Sequence, residues 1–481
     1  MTPVWNGSVE ENGVGKFSSF TEEVLKGLVE MGVTHVWYTG ILEHATTTRY
    51  EAIGKEGDPE EEVKGKAGSP YAVRDYYDVD ADLSEVIEKR VEEFEELVGR
   101  THEAGLKVII DFIPNHVSRG YRSDKKPEGV EDFREENYYI RENGEKETGG
   151  EGWSDTAKLR YTEDTKEKMI GIMQYWVSKG VDGFRCDMAE LIGVEFWGEA
   201  IRRIKSEKEV IYIGEVYREE KYREYIEKGG FDYLYDKVGL YEVLRGVIRG
   251  DRRAEEISWE LEKLSDIREK MLHFLENHDE VRIASRYFGE EARKGYPGMI
   301  VVATISESAF MIYFGQELGE KGEEEEGYSG LDGKTTIFDY WSVPVFKKEE
   351  IGKEEREVKG FYRRLCQIAM REEPIRAGAY YRLEMRGAGE LYGYMRYVEE
   401  KVIIVALNFS KEEVKGRVVL TAAAFKASGM EENVAMEIED LFSGEKELVA
   451  LTSEWGYEVK LPGYGWKMVK VLRLGLGKKM K

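Results

Sequence analysis

Four short segments of this chain end an apolar run on groups that can move protons or bind hydroxyls. Asp111-Phe-Ile-Pro-Asn115-His116 closes the first run and Gly183-Phe-Arg185-Cys-Asp187 the second. Ile213-Gly-Glu215 closes the third and Phe274-Leu-Glu-Asn277-His278-Asp279 the fourth. Cleaving a glycosidic bond needs one carboxylic acid to protonate the leaving oxygen and a second carboxylate to attack or stabilise the anomeric carbon. In a barrel of parallel strands, such groups stand at the C-terminal strand ends. One carboxylate after a strand reads as a helix cap or a surface group, but four polar endings in succession do not reduce to capping.

The elements that must position these groups follow a regular order. From Met31 onward, apolar runs at His35–Ile41, Val108–Pro114, Gly183–Met188, Val210–Val216, Phe231–Tyr235, His273–Asn277 and Met311–Gly315 predict strands. Helical patterns fall between them, at Ser84–Ala104, Thr165–Ser178, Phe196–Ser206, Ala254–Met271 and Glu291–Ser306. Alternation of this kind over some 300 residues predicts an α/β fold, a (β/α)8 TIM barrel. Its first strand is short or missing, because only Pro3-Val4-Trp5 is apolar before a helix expected at Phe20–Met31. Long polar stretches after two strands, Glu43–Asp82 and His116–Tyr161, read as functional loops on the catalytic face. From about Pro374 the pattern turns to strand-like runs at Tyr392–Tyr397, Lys401–Phe409, Lys415–Leu420 and Lys467–Leu472, which predicts a C-terminal all-β sandwich. The expected division is residues 1–115 and 162–373 as barrel, 116–161 as a small inserted domain, and 374–481 as sandwich.

Composition narrows the partners. With 41% hydrophobic and 12% aromatic residues, the 481-residue chain can bury more than one core. A formal net charge of −25 repels phosphate backbones and anionic lipid, so neither nucleic acid nor membrane is an expected partner. A neutral sugar polymer needs no counter-charge. Cys186 and Cys366 are the only cysteines and offer neither a disulfide framework nor a metal-ligand spacing. Without a signal-like start or a long apolar run, the expected location is cytoplasmic.

The four segments, in their order, resemble the ordered sequence regions of the α-amylase family, glycoside hydrolase family 13. Tyr71 in Ser69-Pro-Tyr-Ala-Val-Arg-Asp-Tyr76 and the segment Phe314-Gly-Gln-Glu317 resemble two further regions of that family. The resemblance implies retaining hydrolysis of α-1,4-glucosidic bonds in starch or maltodextrins. Asp187 would be the nucleophile, Glu215 the general acid and then base, and Asp279 a carboxylate that binds sugar hydroxyls and favours the distorted ring. Arg185 would keep Asp187 ionised, Tyr71 would stack on the sugar, and His116 and His278 would hydrogen-bond its hydroxyls. Asp111 reads as a buried partner orienting the loop that follows it.

The resemblance also implies a structural Ca2+ at the Asn matching Asn115. The run Met188-Ala-Glu190-Leu191 departs from the Lys-His usual in calcium-dependent members, so Ca2+ stays open, and no organic cofactor is expected. Two alternatives stand beside hydrolysis: glycosyl transfer or α-glucosidase and α-1,6 activity from the same site, and a non-catalytic amylase-like binding or scaffold protein.

Overall fold

The structure is a computed structural model that describes residues 15–322, 328, 330–340 and 351–472. The Pro3-Val4-Trp5 strand expected at the start lies outside them. The chain forms two compact units, Met1–Tyr235 with Gly322–Ile351, and Asp236–Lys321 with Gly352–Lys481.

The first unit is built on parallel strands. β1 (His35–Tyr38), β4 (Lys107–Phe112), β7 (Gly183–Cys186), β8 (Ile211–Gly214) and β9 (Tyr233–Tyr235) lie side by side in that order. Their registers match Ile110 with Phe184, Phe184 with Tyr212, and Gly214 with Leu234. Helices fill the crossovers: α1 (Glu22–Met31), α2 (Arg90–Glu103), α3 (Glu163–Ser178), α4 (Val194–Lys205) and α5 (Tyr222–Glu227). Local chemistry sets their ends. Thr21 and Thr162 cap α1 and α3 by accepting the amides of Val24 and Thr165, and α1 stops at Gly32 with φ 104°. The α2 helix starts at Arg90, not at Ser84, because Glu93 draws in the amides of Glu85 and Val86 and holds that stretch outside the helix.

Both long loops carry structure of their own. Residues 42–79 form an antiparallel pair, β2 (Leu42–His44) with β3 (Val73–Val79), whose register shifts at each step. In the 116–161 segment, β5 (His116–Ser118) pairs with β6 (Thr156–Lys158).

The second unit continues the alternation with α6 (Glu242–Arg249), α7 (Glu256–Lys263), β10 (Met271–Leu272), α8 (Tyr296–Thr304) and α9 (Lys353–Arg371). The run expected as a strand at Met311–Gly315 is not one; a single parallel bridge joins His273 to Phe310. The helix expected over Ala254–Met271 covers only Glu256–Lys263.

After a short helix, α10 (Glu373–Ala377), eight antiparallel strands follow. They are β11 (Ala379–Arg386), β12 (Leu391–Val398), β13 (Lys401–Asn408), β14 (Val414–Val419), β15 (Ala435–Asp440), β16 (Lys446–Ala450), β17 (Tyr457–Leu461) and β18 (Trp466–Leu472). β11 changes layer midway: Ala379–Leu383 pairs with β12, and Glu384–Arg386 pairs with β14. Covered on both faces, β13 is apolar at almost every position. Val402, Ile404 and Ala406 face the sandwich interior with Leu383 and Val418, while Ile403, Val405 and Leu407 pack with Met299, Ile300 and Phe361 of α8 and α9.

Candidate active site

Arg185 organises the first unit's site. It sits on β7, and an extended strand places Arg185 and Asp187 on one face and Cys186 on the other. Cys186 is buried and free, as a packing residue would be. The Arg185 side chain is fully buried and can be neutralised only by partners. Its Nη1 lies 2.6 Å from Asp187 Oδ1 and 3.6 Å from Asp111 Oδ1, and its Nη2 lies 2.9 Å from Glu215 Oε2. Three aromatic rings, Trp37, Tyr71 and Tyr235, surround the guanidinium at 5.4–5.5 Å, and their faces suit a cation. Three carboxylates from the ends of β4, β7 and β8 are thus gathered around one cation.

The turn after β7 adds a second tie. Met188 adopts φ 40°, a left-handed conformation costly for a side chain of its kind. That conformation accompanies a 2.8 Å hydrogen bond from the Met188 amide to Glu215 Oε2. The other oxygen of Glu215 accepts from the Tyr217 hydroxyl at 2.6 Å. Burial raises the Asp187 carboxyl to about 7, with the Glu215 charge adding to the effect and Arg185 opposing it.

Asp111 does orient a loop, but not only the one that follows it. It accepts from Trp37 Nε1 at 3.1 Å, from the Gly40 amide at 2.9 Å and from the Tyr71 hydroxyl at 3.2 Å, which fixes the chain leaving β1 and the ring of Tyr71.

His116 is buried with both ring nitrogens engaged. Nε2 faces the Tyr71 carbonyl at 3.1 Å, and a carbonyl can only accept, so Nε2 carries the hydrogen. Nδ1 then accepts from Asn115 Nδ2 at 3.2 Å. Burial pushes this imidazole down to about 4, so it is neutral in the folded chain. Through this contact His116 fixes the backbone of Tyr71.

Asp279 and His278 belong to the second unit. His278 Nε2 lies 3.1 Å from Asp279 Oδ2, and the Asp279 amide donates to Asn277 Oδ1 at 2.9 Å. Behind them, Glu276 is buried against Arg282 at 3.0 Å, and Arg282 covers the ring of Tyr313 at 4.0 Å.

Among the described residues, one trio of carboxylates has metal-like spacing: Glu43, Asp75 and Asp78, with ligand atoms within 4.8 Å of one another. The ammonium of Lys55 already bonds Glu43, and it lies 2.9 Å from Asp78, which Arg90 also pairs. At Asn115, the amide nitrogen donates to the Gly149 carbonyl at 2.9 Å, and the buried Asp155 faces Lys64 at 3.1 Å. At Glu43 and Asp78 a lysine holds the position that a hard cation would need, whereas both Asp155 carboxylate oxygens are buried without a hydrogen-bond partner, a donor chemistry that suits Ca2+.

Sequence reasoning missed Trp37, Tyr217 and Tyr235. Each ends or follows a strand on the same side as the acids, and that periodicity could have found them. In the C-terminal domain Trp466 packs edge-on to Phe361, whereas Trp455 is 63% exposed.

Comparison with known proteins bears on this geometry. Residues 8–364 match the family model described as Alpha amylase, catalytic domain. Alpha-amylase 3 of Dictyoglomus thermophilum is 26% identical over 375 residues, 70% of this chain and 73% of that protein. A cyclomaltodextrinase of a Bacillus species is 22% identical over 408 residues, 80% of this chain and 64% of that one. The chain spans 59% to 73% of the length of these and two further relatives. A maltogenic α-amylase, AmyB of Thermotoga neapolitana, superposes with TM-score 0.71 at 24% identity, covering 95% of this chain and 94% of that one. The strand–helix alternation, the carboxylates at strand ends, the C-terminal β domain and a match over most of the chain agree: this protein belongs to the α-amylase family of glycoside hydrolases.

Proposed function

We propose that the chain hydrolyses α-1,4-glucosidic bonds of starch and maltodextrins with retention of anomeric configuration, using Asp187 and Glu215. The observation that carries this is the bridging of both carboxylates by the one guanidinium of Arg185, at 2.6 and 2.9 Å. A single planar fork ties both carboxylates to one cation, an arrangement that suits a retaining pair. In the first step an Asp187 oxygen attacks C1 and an ester forms. The C1–O bond breaks, its electron pair goes to the leaving oxygen, and that oxygen takes the Glu215 proton. In the second step Glu215 removes a proton from water, the water oxygen bonds to C1, and the Asp187 carboxylate is released.

Asp279, with His278 beside it, would bind sugar hydroxyls in the distorted ring. Tyr71, held by Asp111 and by His116, would stack on the sugar. No step is assigned to Ca2+.

The test is hydrolysis of soluble starch and maltoheptaose by the unaltered protein and by Asp187→Ala and Glu215→Gln. Each substitution is expected to reduce kcat by at least about a thousandfold. Products with inverted configuration, or rates that survive both substitutions, would refute the reading.

A further inference from the structure

The two oxygens of Glu215 have chemically different neighbours. Oε2 faces the Met188 amide at 2.8 Å and Arg185 Nη2 at 2.9 Å, both pure donors with no lone pair to offer. A proton on Glu215 therefore belongs on Oε1. Among the described residues, the partner of Oε1 is the Tyr217 hydroxyl at 2.6 Å, a group that can donate to the ionised acid or accept from the neutral one.

We propose that Tyr217 is the positioning residue of the proton donor. In the free enzyme its hydroxyl keeps the Glu215 proton on Oε1, aimed away from Arg185, and it gives up that place to the glycosidic oxygen when substrate binds. This rests on the reading of Glu215 as the general acid.

The backbone around Tyr217 suits such a role. Val216 before it is buried, and Arg218 after it is anchored to the loop that follows the nucleophile. The Arg218 amide lies 3.0 Å from Glu190 Oε2 and its Nε lies 3.2 Å from the same atom. Glu190 follows Asp187 by three residues, just as Arg218 follows Glu215 by three. The chain is clamped on both sides of Tyr217 while its ring stays half-buried, so the hydroxyl can swing away by side-chain rotation with the carboxylate left in place. The groups that face Glu215 in this unit are Arg185, the Asp187 carboxylate beyond it, Asp111 on the far side of that guanidinium, and Tyr217 itself.

The sign of the effect follows from the hydrogen bond. A hydroxyl donating to a carboxylate is stronger than the bond between the neutral partners, so Tyr217 favours the ionised acid. Removing the hydroxyl therefore moves loss of the acid's proton to higher pH, and leaves the remaining proton less well aimed.

The experiment compares Tyr217→Phe, Tyr217→Gln and the unaltered enzyme on two substrates. Maltotriose needs its leaving oxygen protonated; α-maltosyl fluoride leaves as fluoride and needs far less help. Tyr217→Phe is expected to shift the alkaline limb of kcat/KM on maltotriose upward by about half a pH unit. It should lower kcat on maltotriose by about tenfold and leave turnover of the fluoride nearly unchanged. Tyr217→Gln, which keeps a donor and an acceptor, should restore part of both. Thermal midpoints of the variants separate loss of folding from loss of proton delivery. An unmoved alkaline limb, with equal effects on the two substrates, would overturn the proposal. Glu215→Gln on the same pair of substrates tests the underlying reading separately. Equal losses on both would sink the acid assignment, whereas selective loss on maltotriose with an inert Tyr217→Phe would sink only the role of Tyr217.

Discussion

The Nη2 of Arg185 lies 2.9 Å from Oε2 of Glu215, so this arginine holds Glu215 as well as Asp187. The pair it bridges must carry one proton and one charge to work. Burial, with the neighbouring Glu215 charge adding to it, raises Asp187 to about 7, so this carboxyl is partly protonated at neutral pH. Read as the nucleophile, Asp187 must be ionised to act, so activity is expected to fall as pH drops below about 7. Lysine in place of Arg185 offers a point charge that cannot reach both carboxylates in the same fork. Arg185→Lys should lower kcat by about a hundredfold and move the acid limb to higher pH, measured as kcat/KM against pH on maltoheptaose.

Two buried histidines of the first unit give opposite dependences of stability on pH. His116 is lowered to about 4 by burial, below its unfolded value near 6.5. Its contribution is complete above pH 6.5 and is lost between 6.5 and 4, as the unfolded chain takes up a proton that the folded chain refuses. That difference corresponds to about 3 kcal/mol. His44 is raised to about 9: burial works against its charge, but the Asp80 carboxylate at 3.0 Å and two backbone carbonyls outweigh it. Its contribution is complete below pH 6.5 and is lost as pH rises through 9. Thermal midpoints of His44→Gln and His116→Gln across pH 4–10 check this: the first should flatten the alkaline decline and the second the acid one.

Lys55 supplies the charge that a divalent ion would bring to Glu43 and Asp78. A chelator such as EDTA is therefore expected to leave this cluster undisturbed, so any loss of thermal midpoint on chelation would point to Asp155 instead. Lys55→Met leaves the buried Glu43 uncompensated, while Arg90 still pairs Asp78, and should cost about 3–5 kcal/mol at pH 8. Burial has already raised Glu43 to about 7, so in mild acid this group takes a proton and the loss should shrink. Equal losses at pH 5.5 and pH 8 would contradict the account.

Much of the site was legible because its residues sit where apolar runs end, and a strand end is a position that pattern reveals. Asp187, Glu215 and Arg185 were found in this way, and the structure brings those three together. The role of His116 was not legible, since which atom its ring meets depends on how the loop carrying Tyr71 closes over it. In the sandwich, β12, β13 and β18 were visible as apolar runs. By contrast, β16, Lys446–Ala450, was not: it is exposed along nearly its whole length at the end of the sheet order, where charged side chains guard an unpaired edge. The reverse error at Met311–Gly315 has the same root: apolar character reports burial, and burial alone does not require ladder pairing.

The left-handed backbone at Met188 has a consequence for how such an enzyme can vary. Nucleophile, guanidinium and the amide that steadies the acid all come from four consecutive residues, Arg185 to Met188. The bond-breaking geometry is therefore written into one short peptide. Outside Gly40, Tyr71 and His116, which touch this cluster or one another, the long segments after β1 and β4 can vary without disturbing it.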